Sequence, residues 1–186
     1  MTNPPQKREI FLVLRSQAGD RGAFDELLKS IQEPIFRYIR RLTASDEALA
    51  EDVLQEVFIL IYRKLRWLEN PRLFRAWAYR IASREAFSRL KKEKRWTEQV
   101  RDEEILDAIP AGNRAEKEFE PELIAKIPVW LSEISPAARA VLILHYLEEM
   151  SLNETAEILG IAPGTAKSRL AYGLESLRRI AHGKEK

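Results

Sequence analysis

The tightest constraint on the fold lies in residues 151–170, SLNETAEILGIAPGTAKSRL, where the start and stop signals of two helices crowd together. Ser151 and Glu154 have the S-x-x-E spacing of a capping box, in which a serine oxygen and a glutamate carboxylate satisfy the backbone N–H groups of a helix start. A helix is therefore predicted from Leu152, with Leu152, Ala156 and Leu159 at i, i+4, i+7 on one face. Gly160 supplies the permissive backbone for an abrupt exit, and Pro163 suits the first position of a second helix, where its missing N–H leaves nothing unpaired. Ala166, Leu170, Leu174 and Leu177 then recur at steps of four and three and form its inward face. The other face carries Thr165, Lys167, Ser168 and Arg169 near the N-terminus, where a recognition helix presents hydrogen-bonding groups to bases and phosphates. Two short helices joined by a glycine turn also occur in proteins that never touch DNA, so the rest of the chain must weigh in. The next stretch, Ala171, Tyr172 and Gly173, is not basic, and the following cations are Arg178 and Arg179.

The net charge of +2 says little as a sum but much in its distribution. Arg63 to Arg95 holds twelve Lys/Arg against three acids, a surface suited to a polyanion. Glu98 to Glu122 holds nine acids against three bases, and the cluster Pro110, Ala111, Gly112, Asn113 breaks any periodicity. An acidic tract so poor in aromatics cannot bury enough surface to fold alone, so it is expected to be a flexible linker between two helical domains. Cysteine is absent, which excludes disulfides, thiolate nucleophiles and Cys-type zinc sites. His145 and His182 stand far apart and form no H-E-x-x-H or E-x-x-H pattern, and there is neither a phosphate-binding G-x-x-x-x-G-K-[ST] loop nor a G-x-S-x-G elbow. An enzyme is not expected, nor a cofactor. No apolar run reaches the ~20 residues that span a bilayer, and the opening MTNPPQKRE lacks the apolar core of a signal peptide. The expected location is cytoplasmic, without membrane insertion.

Strand-like alternation is missing throughout, whereas helix punctuation is plentiful, so the expected class is all-α. Helix starts are predicted after Asp20, at Glu33-Pro34, after Ser45 and at Asn70-Pro71. Between Asp46 and Trp67, Leu49, Val53, Val57, Leu60 and Ile61 make an apolar stripe, while Glu51, Asp52, Gln55 and Glu56 share another side, a candidate docking face or a plain solvated flank. From Pro71 to about Lys94, Phe74, Trp77, Ile81 and Leu90 are core candidates among Arg72, Arg75, Arg80, Arg84 and Arg89. Aromatics interleaved with cations suit single-stranded nucleic acid, although Trp77, Tyr79 and Phe87 equally suit a core, and the basic flank is the firmer feature.

Taken in order, these segments from Ile10 to Arg179 resemble a bacterial RNA polymerase sigma factor of the extracytoplasmic-function (group 4 sigma-70) type. Gln17 to Leu27 resembles the opening of the family's region 2, and Ala50-Glu51-Asp52-Val53-Leu54-Gln55-Glu56-Val57-Phe58 its D-x-x-Q-E-x-F core-binding segment. Phe74 to Ala82 resembles the helix that reads and melts the −10 promoter element, and Leu152 to Arg169 the region 4 reader of the −35 element. The resemblance implies a tail over 1–9, region 2 over 10–96, an acidic linker over 97–120 and region 4 over 121–182. It implies that Asp52, Gln55, Glu56 and Phe58 bind core RNA polymerase at the β′ clamp helices, the β flap being a second contact. It also implies −10 DNA contacts from Arg75, Trp77, Arg80, Arg84, Arg89, Lys91 and Lys92, and −35 contacts from Gly164, Thr165, Lys167, Ser168 and Arg169. The implied partners are core polymerase, promoter DNA and an anti-sigma factor. The chain departs from many relatives at Ser83, Arg84 and Ser88 in the −10 helix, at Ala166 where valine is common, and at Ala171 to Gly173 where bases are common. The rival reading is a stand-alone helix-turn-helix regulator with a dimerisation or effector domain; a sigma-like protein without polymerase activity is a third.

Overall fold

The computed structural model describes residues 4–92 and 129–183, and every element among them is helical. The first half is a bundle of four helices: α1 (Pro4–Gln17), α2 (Arg21–Leu42), α3 (Glu47–Lys64) and α4 (Phe74–Lys92). Two single turns of 3-10 helix, Leu65–Trp67 and Pro71–Leu73, turn the corner between α3 and α4. The second half holds α5 (Pro136–Leu142), which continues into a π-type turn over Ile143–Leu147, then α6 (Leu152–Leu159) and α7 (Pro163–Gly183).

Local chemistry sets most boundaries. Asp20 caps α2 by accepting from the Ala23 N–H at 2.9 Å, and Asp46 caps α3 by accepting from the Leu49 N–H at 3.1 Å. The cap of α3 is thus Asp46 and not Ser45, which lies with Ala44 in the left-handed region at φ 65° and 57°. No helix starts at Glu33-Pro34. Pro34 sits inside α2, where its missing N–H leaves the Ser30 carbonyl without its helical donor. Burial of Leu27, Ile31, Ile35, Tyr38 and Ile39 along one stripe keeps the helix continuous through this defect. The expected tail is also shorter, because α1 reaches back to Pro4 and buries Glu9 beside Arg75 of α4, Oε2 to Nε 2.8 Å. The acidic tract and the end of the basic segment, residues 93–95, lie outside the described residues.

The two halves pack against each other rather than standing apart. Buried side chains from α1 to α4 and from α5 and α6 join one apolar cluster, with Leu42, Ala82 and Leu90 on one side and Leu142, Leu144 and Ile158 on the other. Polar ties cross the seam. Arg139 of α5, 2% exposed, donates from Nη1 to the Leu42 carbonyl at the end of α2 (2.8 Å) and from Nη2 to the Ser132 and Ile134 carbonyls (2.9 and 2.7 Å). Burial pushes its guanidinium down to about 10, so it remains a cation at neutral pH, and charge-assisted bonds to carbonyls offset its desolvation.

Candidate nucleic-acid interface

The helix-turn-helix is built as its sequence dictates. Ser151 Oγ accepts from the Glu154 N–H at 3.2 Å, and Glu154 Oε2 accepts from the Ser151 N–H at 2.9 Å, a complete capping box. The Ser151 hydroxyl, then its backbone N–H, holds the Glu154 carboxyl below the usual carboxylate range. Gly160 closes α6 in the left-handed conformation, φ 67°. Ala166 is fully buried, and Leu170, Leu174 and Leu177 are half-buried against the core, so α7 faces inward on the predicted stripe. In α6, Thr155 and Ile158 are buried alongside Ala156, while Leu152 and Leu159 are only half-buried.

This arrangement leaves Gly164, Thr165 and Lys167 exposed at the first turn of α7, with Ser168 and Arg169 half-buried behind them. A helix N-terminus with open N–H groups, a hydroxyl and a cation can engage a phosphate and a base edge together. The Ser168 hydroxyl already donates to the Gly164 carbonyl at 3.1 Å, so only its lone pairs remain for a base, whereas no such bond holds Thr165 among the described residues. Gly173, without a cation in the sequence, has a packing explanation: a Cβ there would lie 2.7 Å from Cδ1 of Leu142, which is buried in α5. The departure from a basic helix at this point is the close approach of α7 to α5.

On α4 the predicted DNA set divides. Arg84, Lys91 and Lys92 are exposed and Arg89 is half-buried. Arg75 is tied to Glu9, and Arg80 Nη2 donates to the Glu157 carbonyl of α6 at 2.7 Å, with the Glu157 carboxylate at 3.6 Å. Trp77 and Phe87 are half-buried against the core. Tyr79 is buried, packed edge-on to Tyr38 at 5.3 Å, and its hydroxyl donates to Glu148, which Arg41 Nη1 also approaches at 3.8 Å. Burial first, and the Glu148 carboxylate second, raise the Tyr79 phenol far above its ordinary value and keep it a donor. Ser83 is buried as well: it donates to the Tyr79 carbonyl at 2.8 Å and takes the hydrogen of the Tyr38 hydroxyl at 2.7 Å. That position is core, whereas Arg84 and Ser88 face solvent.

Helix α3, the candidate docking element, buries Leu49, Val53, Val57 and Ile61 and leaves Asp52 and Gln55 exposed, with Glu56 and Phe58 half-buried and Phe58 packed on the core. Two features escaped the sequence. Trp67 at the α3–α4 corner is 61% exposed, with the Arg66 guanidinium 4.0 Å from its ring centre, an open aromatic and cationic surface next to α4. The neighbouring pair Arg66-Trp67, just before Asn70-Pro71, was the available signal. The second is a cavity of about 440 Å³ in the seam, where Glu9, Arg72 and Arg75 face Glu148, Glu149 and Glu154. Among the described residues no cluster of acids and histidines could hold a metal ion, and no helix is long and apolar enough to cross a membrane.

Comparison with known proteins bears on both halves. The family models described as Sigma-70 region 2 and Sigma-70, region 4 match residues 27–96 and 130–179. The ECF RNA polymerase sigma factor SigW of Bacillus subtilis is 30% identical over 87% of this chain and 90% of its own length. An RNA polymerase sigma-E factor of Streptomyces coelicolor is 31% identical over 86% of each chain. Among solved structures, that of CnrH in complex with the cytosolic domain of CnrY aligns over 95% of this chain and 98% of its own at TM-score 0.67 and 20% identity. The sigma factor RpoE of Bartonella quintana, in complex with the anti-sigma factor NepR, aligns over 86% of this chain and 96% of its own at TM-score 0.65 and 22% identity. At these identities the two structures speak for the fold.

Proposed function

Since the chain belongs to the sigma-70 family, in its extracytoplasmic-function class, we propose that its separate surfaces divide the work of promoter-specific initiation. The protein is a sigma factor: it binds core RNA polymerase and directs it to promoter DNA. Region 2 spans residues 10–96, region 4 spans 121–182, and the tract 97–120 joins them. Asp52, Gln55, Glu56 and Phe58 of α3 dock on the β′ clamp helices, and region 4 meets the β flap. Arg75, Trp77, Arg80, Arg84, Arg89, Lys91 and Lys92 hold the opened −10 strand, while Gly164, Thr165, Lys167, Ser168 and Arg169 read the −35 duplex. An anti-sigma factor is a further partner, and the protein acts in the cytoplasm.

The single observation that carries this reading is the coexistence of an acidic docking face on α3, a basic α4 and a recognition helix with an open N-terminus. A regulator that bound duplex alone would need only the third. The protein contributes binding rather than covalent chemistry: phosphate contacts and stacking favour opened DNA over duplex, and contacts to base edges choose the site. Purified protein mixed with core polymerase should form a stable complex that starts transcription at the promoter of its own gene, with weak duplex binding by the protein alone. A tight, specific footprint from the isolated protein as a dimer would instead establish the stand-alone regulator.

A further inference from the structure

The corner between α3 and α4 is held by a side chain that belongs to neither helix. Gln17, the last residue of α1, reaches 48 and 51 positions along the chain and donates from Nε2 to the Leu65 and Leu68 carbonyls, at 2.9 and 2.8 Å. The Leu65 carbonyl also accepts from the Leu68 N–H at 3.0 Å, so the carboxamide clasps both ends of one 3-10 turn. Its own base is fixed, because the N–H groups of Ala18, Gly19 and Asp20 bond back to α1 and Gly19 turns the chain at φ 93°. Within the clasped turn Leu65 is buried and Leu68 packs on the core, which leaves Arg66 and Trp67 turned outward with the guanidinium over the indole ring.

We infer that Gln17 is a positioning residue for strand opening: by clasping the corner it keeps the Arg66 and Trp67 side chains in one outward arrangement at the entry to α4. This inference rests on the proposed role of α4. A ring and a cation already in place lose less freedom on meeting the opened strand than ones that must first be immobilised. The clasp therefore acts on strand opening and leaves the polar face of α3 and the first turn of α7 as they are.

The test uses the full chain with core polymerase, on the promoter of its own gene. Gln17→Met keeps the length of the side chain and removes both donors, Gln17→Lys keeps donors within reach of both carbonyls, and Gln17→Asn is a milder variant that shortens the same amide. Expected for Gln17→Met are unchanged co-elution with core polymerase and about tenfold slower appearance of permanganate-reactive thymines, most of it regained in Gln17→Lys. In a Trp67→Ala chain, Gln17→Met should cause no further loss, because the clasp works through the corner. A glutamine that merely stabilised the fold would slow opening equally with and without Trp67, and that result overturns the inference, as does unchanged opening in both Gln17→Met and Gln17→Asn. The corner is also read in the free chain labelled with 5-fluorotryptophan, where the Trp67 resonance is the one lost in Trp67→Phe. It should shift and broaden in Gln17→Met, with circular dichroism unchanged; the same position and width as in the parent overturns the clasp. Absence of assembly between the parent chain and core polymerase defeats the sigma reading instead, and the fluorine measurement still decides whether Gln17 holds the corner.

Discussion

Two buried hydroxyls show how much a single oxygen can matter, and with opposite signs. Ser83 Oγ is both a donor to the Tyr79 carbonyl and the acceptor for the buried Tyr38 hydroxyl. Removing it in Ser83→Ala strands a phenol in the core, and the expected loss is about 1–3 kcal/mol, read as a lower midpoint in urea unfolding. Thr155 Oγ1 is buried with no hydrogen-bond partner among the described residues. Thr155→Val keeps the shape and sheds the unpaired group, so it should stabilise by about 1 kcal/mol and raise Tm by about 2–4 °C. A Tm at or below that of the parent would show that the hydroxyl is satisfied in solution. Neither sign was legible in the sequence, since serine and threonine at helical positions look alike until their neighbours from other elements are known.

At the level of the element, the legible part was what neighbours in sequence decide. The capping box at Ser151, the left-handed exit at Gly160 and the start at Pro163 lie within a few residues of the groups they serve, and each was readable from spacing alone. Pro34 was misread as a helix start because burial on both sides of it outweighs one lost hydrogen bond. Gly173 was read as a missing cation when it is a point of close approach. In Gly173→Ala the new methyl meets Leu142, and overpacking of about 1–3 kcal/mol should exceed the ~1 kcal/mol that alanine gains over glycine within a helix. Thermal unfolding should show a loss, and Leu142→Val in the same chain should restore part of it; additive effects of the two changes would deny the contact. On the exposed side of the same helix, Lys167→Ala should lower promoter affinity for the polymerase complex and reduce its log–log salt slope by about one. Thr165→Ala should instead shift which upstream sequences are preferred, as measured on a panel of −35 variants, and an unchanged preference would remove Thr165 from base readout.

For the whole molecule, the division into two helical halves could be read from charge segregation, but their packing could not. The ties across the seam join residues 69, 77 and 97 positions apart, and no spacing rule reaches that far. The polar face proposed for docking was legible as an exposed surface, because Asp52 and Gln55 lie opposite a stripe of buried apolar residues on a helix whose period is fixed. Asp52→Ala with Glu56→Arg should abolish co-elution with core polymerase while leaving the far-ultraviolet helix signal intact; retained assembly and transcription would return this face to ordinary solvated surface. Two of the seam's ties end on main-chain oxygens, those of Leu42 and Glu157. A carbonyl is present whatever side chain a codon specifies, so point mutation at positions 42 and 157 cannot delete these acceptors. Loss of either of these two bonds by substitution therefore falls to its donor, Arg80 or Arg139. Arg139 also holds its own half together through the Ser132 and Ile134 carbonyls, so of the two donors only Arg80 can be replaced in a lineage without unmaking either half.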